Sequence, residues 1–188
     1  RAEAAVKLSE LDIEMWKNQA DEKAGVKGEG VVLALALGRG GSHGTIAKAV
    51  RRPGDKIAVE HVHTERGTRW IATYVKKLKA EHGNATLVLD PKNATPVLSS
   101  LERVGVKFLA MNLDEIAAAH ALFIEHVNAG LVPHRPQDEV TRSLELATTR
   151  PLGRAGMTWE QSDPSKPVSH AQAVTWALWG VLKSEATP

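Results

Sequence analysis

Cysteine is absent from the 188 residues, so neither a disulfide framework nor a thiolate-held zinc can form. Any bound metal must rest on carboxylate or imidazole. Long apolar runs are missing too. The longest, Val31 to Leu37, falls far short of the roughly 20 residues that cross a bilayer, and the first residues do not read as a signal peptide, so no membrane contact is expected. Charge of one sign is not in excess, with Lys+Arg 24 against Asp+Glu 22, which means that any DNA-binding surface must be a local patch. No Walker-type phosphate loop occurs (Gly, four residues, then Gly-Lys-Ser or Gly-Lys-Thr), which excludes a P-loop motor. No internal repeat or low-complexity tract interrupts the chain.

What is present suffices for one buried core, with 43% hydrophobic residues in a length too short for two large domains. Apolar residues at Val6, Leu8, Leu11, Ile13, Met15 and Trp16 predict a helix from Ala2 to about Glu22, followed by a polar connection. Residues 1–29 are thus expected to form an arm or linker helix, and 30–188 the main domain. Val31 to Leu37 has the continuous apolar pattern of a central strand buried on both faces. A Gly-rich turn, Gly38 to Gly44, leads to a strand from Thr45 to Arg52, and the turn Arg52-Pro53-Gly54-Asp55 to another from Lys56 to His63. Helical spacing returns from Thr68 to His82. Beyond it lie a short strand Thr86 to Asp90, a helix Thr95 to Val104, a strand Val106 to Met111 and a helix Leu113 to Ala129. A helix from Gln137 to Thr148, an irregular stretch and a last helix from His170 to Ser184 complete the chain. Trp176 and Trp179 are expected in its core.

The order βββαβαβα with a buried first strand is that of a ribonuclease-H-like mixed sheet, in which right-handed crossovers set the fourth strand beside the first. Asp90 closes the fourth strand, where ligand sites form in open α/β sheets. His61 and His63 are expected on one face of the third strand and Glu60 on the other, so these three cannot serve one site. His43, in the Gly-rich turn, is a further candidate ligand. Glycines in that turn would also let backbone amides approach a phosphate, although a flexible hairpin is the simpler explanation. Lys48, Arg51, Arg52 and Lys56 cluster around the second turn as candidate contacts to DNA backbone, as do Lys76, Lys77 and Lys79 on the following helix, where a solvated surface is the simpler explanation.

Several segments in order carry a family resemblance: Val31 to Ala47, His63 to Trp70, Leu89-Asp90-Pro91, Arg150-Pro151-Leu152-Gly153 and Thr175 to Gly180. Together, across about Leu11 to Leu182, they resemble the nuclease domain of large terminases from tailed actinobacterial phages. The resemblance implies a divalent-metal-dependent endonuclease that cuts concatemeric double-stranded DNA during genome packaging. It further implies Mg2+ or Mn2+ held by three Asp residues, the small terminase and portal as partners, and a place in the cytoplasm of an infected or lysogenic bacterial host. Asp90 matches the second of those Asp residues. The first falls on Ala36 when Thr45-Ile46-Ala47 anchors the comparison, and the third on Pro167 when Trp176 to Gly180 does, with Asp163 the nearest substitute. Two of three positions are vacant, so the readings are an impaired nuclease with Asp90 and Asp163 as its remaining metal ligands, or a non-catalytic DNA-binding or assembly module on the same fold. The motor part is absent from the chain, as in a fragment of a larger protein or a free-standing relative.

Overall fold

The computed structural model describes residues 10–161 and 168–186. Five strands, β1 (Val32–Leu37), β2 (His43–Arg52), β3 (Lys56–Arg66), β4 (Thr86–Leu89) and β5 (Leu109–Ala110), form one sheet in the order β3-β2-β1-β4-β5. β1 runs antiparallel to β2 and parallel to β4, and β4 is parallel to β5. The adjacency of first and fourth strands is therefore as expected.

Every residue of β1 is buried, and its alternation splits the core in two. Leu33, Leu35 and Leu37 join the cluster under α2 (Ile71–Glu81) and α3 (Leu98–Arg103). Val32, Ala34 and Ala36 face the other layer, built from α4 (Leu113–Asn128), α5 (Asp138–Leu146) and α6 (Ser169–Ala186). Alanines on this face let α6 lie close. A methyl group at Gly180 would stand 2.5 Å from Val32 Cγ1 and 3.1 Å from Val88 Cγ1. Trp176 and Trp179 are buried in this layer, as anticipated.

Among the described residues of the N-terminal segment, the helix is only α1 (Ile13–Asn18), started by Asp12, whose carboxylate accepts the Glu14 and Met15 amides. It is tied to the α6-side layer. Trp16 stacks on His134 at 3.6 Å and donates from Nε1 to Thr141 Oγ1 at 2.9 Å, and the Gln19 amide bridges Val127 and Val132. Within the stretch expected to be irregular, β6 (Thr149–Pro151) and β7 (Met157–Trp159) form a hairpin. Its signal was obscured by three-residue strands and a Pro within one of them. No helix among the described residues is long and apolar enough to cross a membrane.

Candidate functional site

The parallel register pairs Ala34 with Val88, and two more residues bring Ala36 level with Asp90 at the carboxyl ends of β1 and β4. The side chain of Asn93 donates to Leu37 O at 3.0 Å and accepts from Leu37 N at 2.9 Å, locking the loop after β4 to the end of β1. Asp90 begins that loop. Its Oδ1 accepts the Lys92 amide at 3.0 Å, and partial burial raises its pKa against the lowering effect of the Lys92 and Asn93 amides.

Opposite Ala36 stands Thr45, paired in turn with Thr64 on β3. A polar network spreads from these two across the α6-side face. Thr45 Oγ1 donates to Ser169 Oγ at 3.0 Å and lies 2.9 Å from Thr64 Oγ1. Ser169, in the first turn of α6, meets His43 Nε2 at 2.9 Å. Thr64 Oγ1 also meets His61 Nε2 at 2.7 Å and His170 Nε2 at 3.2 Å, while His61 Nδ1 faces Glu139 of α5 at 3.0 Å. A hydroxyl has one proton and two lone pairs. With Thr64 donating to Thr45 it can accept from both imidazoles. Burial alone would raise the Glu139 pKa, but its own backbone amide and His61 outweigh this and lower it. His170 is driven down to about 4, chiefly by burial, and its Nδ1 is buried without a hydrogen-bond partner. His43 is likewise lowered by burial.

The imidazoles of β3 are distributed differently from the expectation. A β-bulge at Val62 pairs Ile46 with His63 but Ala47 with His61, so two successive positions of β2 are matched across three of β3. His61 therefore turns toward His170 and α5, whereas His63 turns to the α2 side and stacks on Tyr74 at 5.0 Å. Glu60 shares the α2 side and pairs with Lys48 at 3.5 Å. Strict alternation predicted His61 and His63 together; the extra residue separates them.

Among the described residues, no three His, Asp or Glu side chains are grouped so that they could hold a metal ion. Ala36, at the end of β1, presents only a methyl group. Asp163 and Pro167 lie outside the described residues. In the Gly-rich turn, glycine is demanded by packing: a methyl group at Gly38 would strike the His43 ring, and one at Gly44 would stand 2.7 Å from Ile71 Cδ1.

Of the basic groups named from sequence, Arg51, Arg52 and Lys56 lie at the other end of the sheet, and Lys48 lies part-way along β2. β2 leaves the Ala36 end at Thr45 and reaches the β2–β3 turn at Arg52, roughly 23 Å away at about 3.3 Å per residue. Nor do those groups share one face: Lys48 points to the α2 side with Glu60, and Arg51 to the α6 side, where Glu185 holds it through two hydrogen bonds. Lys56 pairs with Arg52 across the hairpin, and both flank the turn.

Another basic set lies on the same side of the sheet as the carboxyl end of β1. Gly67 N donates to Ser42 O at 2.8 Å, and the Cβ position of Gly41 is 3.4 Å from Pro96 and 3.6 Å from Thr68, so the loops after β1, β3 and β4 converge. Arg39, Arg69 and Lys92 are exposed on these loops, and Arg66 is exposed at the end of β3. Nothing in the spacing of Arg39, Arg69 and Lys92 along the chain relates them. Only the strand order brings together the segments that carry them.

No family model matches the sequence, and a search of curated proteins finds no relative of it. Solved structures do match. The large terminase nuclease from thermophilic phage G20c superposes with a TM-score of 0.64 at 11% identity, over 78% of this chain and 80% of that one. The large terminase of bacteriophage HK97 gives 0.71 at 8% identity over 90% of this chain, which spans 43% of the HK97 protein. The nuclease domain of the large terminase subunit gp2 of bacterial virus Sf6 gives 0.54 at 13%, over 89% and 97%. The G20c nuclease has been solved with magnesium, cobalt and zinc, and a mutant Sf6 nuclease domain with manganese. The chain therefore has the fold of the nuclease domain of phage large terminases.

Proposed function

We propose that this chain is a terminase nuclease-type domain that engages double-stranded DNA at the carboxyl end of β1 and β4, with metal-dependent cleavage impaired. It would work in the cytoplasm of a phage-infected bacterium, within packaging machinery that includes the small terminase and portal. The observation that carries the reading is the alignment of Ala36 with Asp90 at that end of the sheet. Two-metal hydrolysis needs several oxygen ligands around each hard cation, and a methyl group supplies none. The described residues therefore do not fit the Mg2+ or Mn2+ pair that the fold suggests, and no hydrolytic step is assigned to them. Asp90, with Asp163 as second ligand, would hold a cation only weakly.

Arg66 at the end of β3, with Arg69 and Lys92 on the loops after β3 and β4, are exposed and are the proposed contacts to DNA phosphates. Arg52 and Lys56 belong to the opposite end of the sheet and would bear only on a longer DNA path. The hydroxyl and imidazole network from Thr45 to Ser169 favours a second reading, a non-catalytic DNA-binding or assembly module, because it ties the start of α6 to β2 with neutral groups beside Ala36.

Duplex binding measured against salt tests the interface. Replacing Arg66 and Arg69 with alanine is expected to flatten the slope of log affinity against log salt by about one unit per lost phosphate contact. Arg52→Ala with Lys56→Ala leaves a short duplex unaffected; the reverse outcome moves the interface to the hairpin. Supercoiled plasmid incubated with manganese is expected to stay intact. Nicking that disappears in Asp90→Asn overturns the impaired reading.

A further inference from the structure

On the side of α4 away from the sheet lies a cleft of about 1670 Å³, walled by α5, the β6–β7 hairpin and the segment leading into α1. Its floor is the outer face of α4, where Ala118 and Ala121 present only methyl groups beside Ile124, and Met157 and Trp159 form one wall. Met157 is 41% exposed, unusual for a large apolar side chain in this molecule. The charged residues that line the cleft are Glu10, Asp114, Glu125 and Glu145; among the described lining residues there is no Lys or Arg. Lys17 forms an ion pair with Glu145 at 3.8 Å, which leaves Glu10, Asp114 and Glu125 as the acidic residues of the rim outside that pair. His120, 5% exposed, also lines the cleft. Its ring packs edge-on against Trp159, and its Nδ1 has no hydrogen-bond partner.

An apolar floor with an acidic rim excludes DNA, which the rim repels. The volume exceeds the few hundred to about 1,000 Å³ usual for small ligands. A helix with side chains is about 10 Å across and rises about 1.5 Å per residue, so this space matches roughly 14 helical residues. A second copy offers no such element among its described residues. Its lysine-rich helix, α2, already buries Ile71, Val75 and Leu78 in its own core.

We propose that the cleft docks a basic amphipathic helix of a protein partner, with aliphatic side chains on the alanine floor and Lys or Arg against the four carboxylates. The unpartnered His120 nitrogen marks the one buried polar position on the floor that an incoming group can satisfy. This surface is independent of the DNA reading and lies on a different face from the basic loops after β1, β3 and β4.

The probe is a fluorescein-labelled amidated peptide of about 14 residues with Leu at helical spacing (i, i+3, i+4, i+7) and Lys elsewhere, compared with a scrambled peptide of equal composition. Anisotropy is expected to show the amphipathic peptide binding at least roughly tenfold more tightly than the scramble. Ala121→Trp, which fills the floor, and Glu125→Lys with Glu145→Lys are each expected to weaken it by roughly tenfold or more. All these positions are exposed, and circular dichroism verifies that each variant is folded. Equal binding of the scramble, or unchanged affinity in folded Ala121→Trp together with the charge-reversed variant, overturns the proposal. Sedimentation that shows a dimer dissociated by Ala121→Trp overturns it in favour of a second copy.

Discussion

At the scale of single residues, Ala36 is where chemistry and stability diverge. It is wholly buried beside Ala34 and Val88, so a methyl group suits the core while it denies a metal. Ala36→Asp should cost about 3 kcal/mol or more in the presence of a chelator, because it buries an unpaired carboxylate near Asp90. Manganese should return part of that loss by binding the folded state only. Thermal melts with and without the ion decide it: no manganese-dependent shift would mean that positions 36 and 90 do not share a site. His120 and His170 supply a second test, since burial lowers both to about 4 from 6.5. The unfolded chain takes up these protons below pH 6.5 and the folded chain does not, so stability is full above pH 6.5 and falls as pH drops toward about 4. Each group contributes up to about 1.4 kcal/mol per pH unit in that window. Urea unfolding at several pH values should show His120→Leu with a shallower decline than the parent; an equal decline would remove His120 from the effect.

At the scale of elements, α6 determines the spacing of the whole α6-side layer. Gly180 sits over Val32 and Val88, and glycine normally weakens a helix interior by about 1 kcal/mol relative to alanine. Propensity alone would make Gly180→Ala stabilising. The 2.5 Å approach to Val32 Cγ1 predicts the opposite sign, a loss of about 1 to 3 kcal/mol from overpacking. Chemical denaturation that finds Gly180→Ala more stable would show that α6 is free to move off the sheet. The bulge in β3 operates at the same scale: one extra residue sends His61 toward Glu139 and His63 toward Tyr74. Without it, Thr64 and His61 would not both reach the α6-side network, since strict alternation places residues three apart on opposite faces.

At the scale of the whole molecule, charge is partitioned by face rather than expressed as net charge. Basic residues lie on the loops after β1, β3 and β4, and acidic residues line the cleft over α4. The N-terminal segment, expected as an arm, delivers Trp16 into the α6-side core between His134 and Phe123. Trp16→Ala should therefore cost about 3 to 5 kcal/mol in a single cooperative unfolding transition. A variant as stable as the parent would mean that this segment behaves as an arm.

Much of the fold was legible because its signals are local. The apolar run of β1, the strand ending at Asp90, the helical spacing of α2 and α4 and the core position of Trp176 each follow from residue order within a few turns of chain. The strand order followed because crossover handedness leaves few alternatives once the elements are in sequence. Register and chain return were different matters. A bulge of one residue has no composition of its own, and it reversed the face of His63. The turn at Arg52 read as basic, yet its position at the far end of the sheet from Asp90 depends on the antiparallel run of β2. Arg69 and Lys92 looked unrelated in sequence, and only the contacts among the loops after β1, β3 and β4 relate the segments that carry them. The sequence by itself determined the main strands and helices of the sheet and its layers, and that Asp90 directly follows a central strand. The tertiary structure alone decided which side chains meet there, because that depends on pairing register and long-range packing, which a one-residue shift can invert.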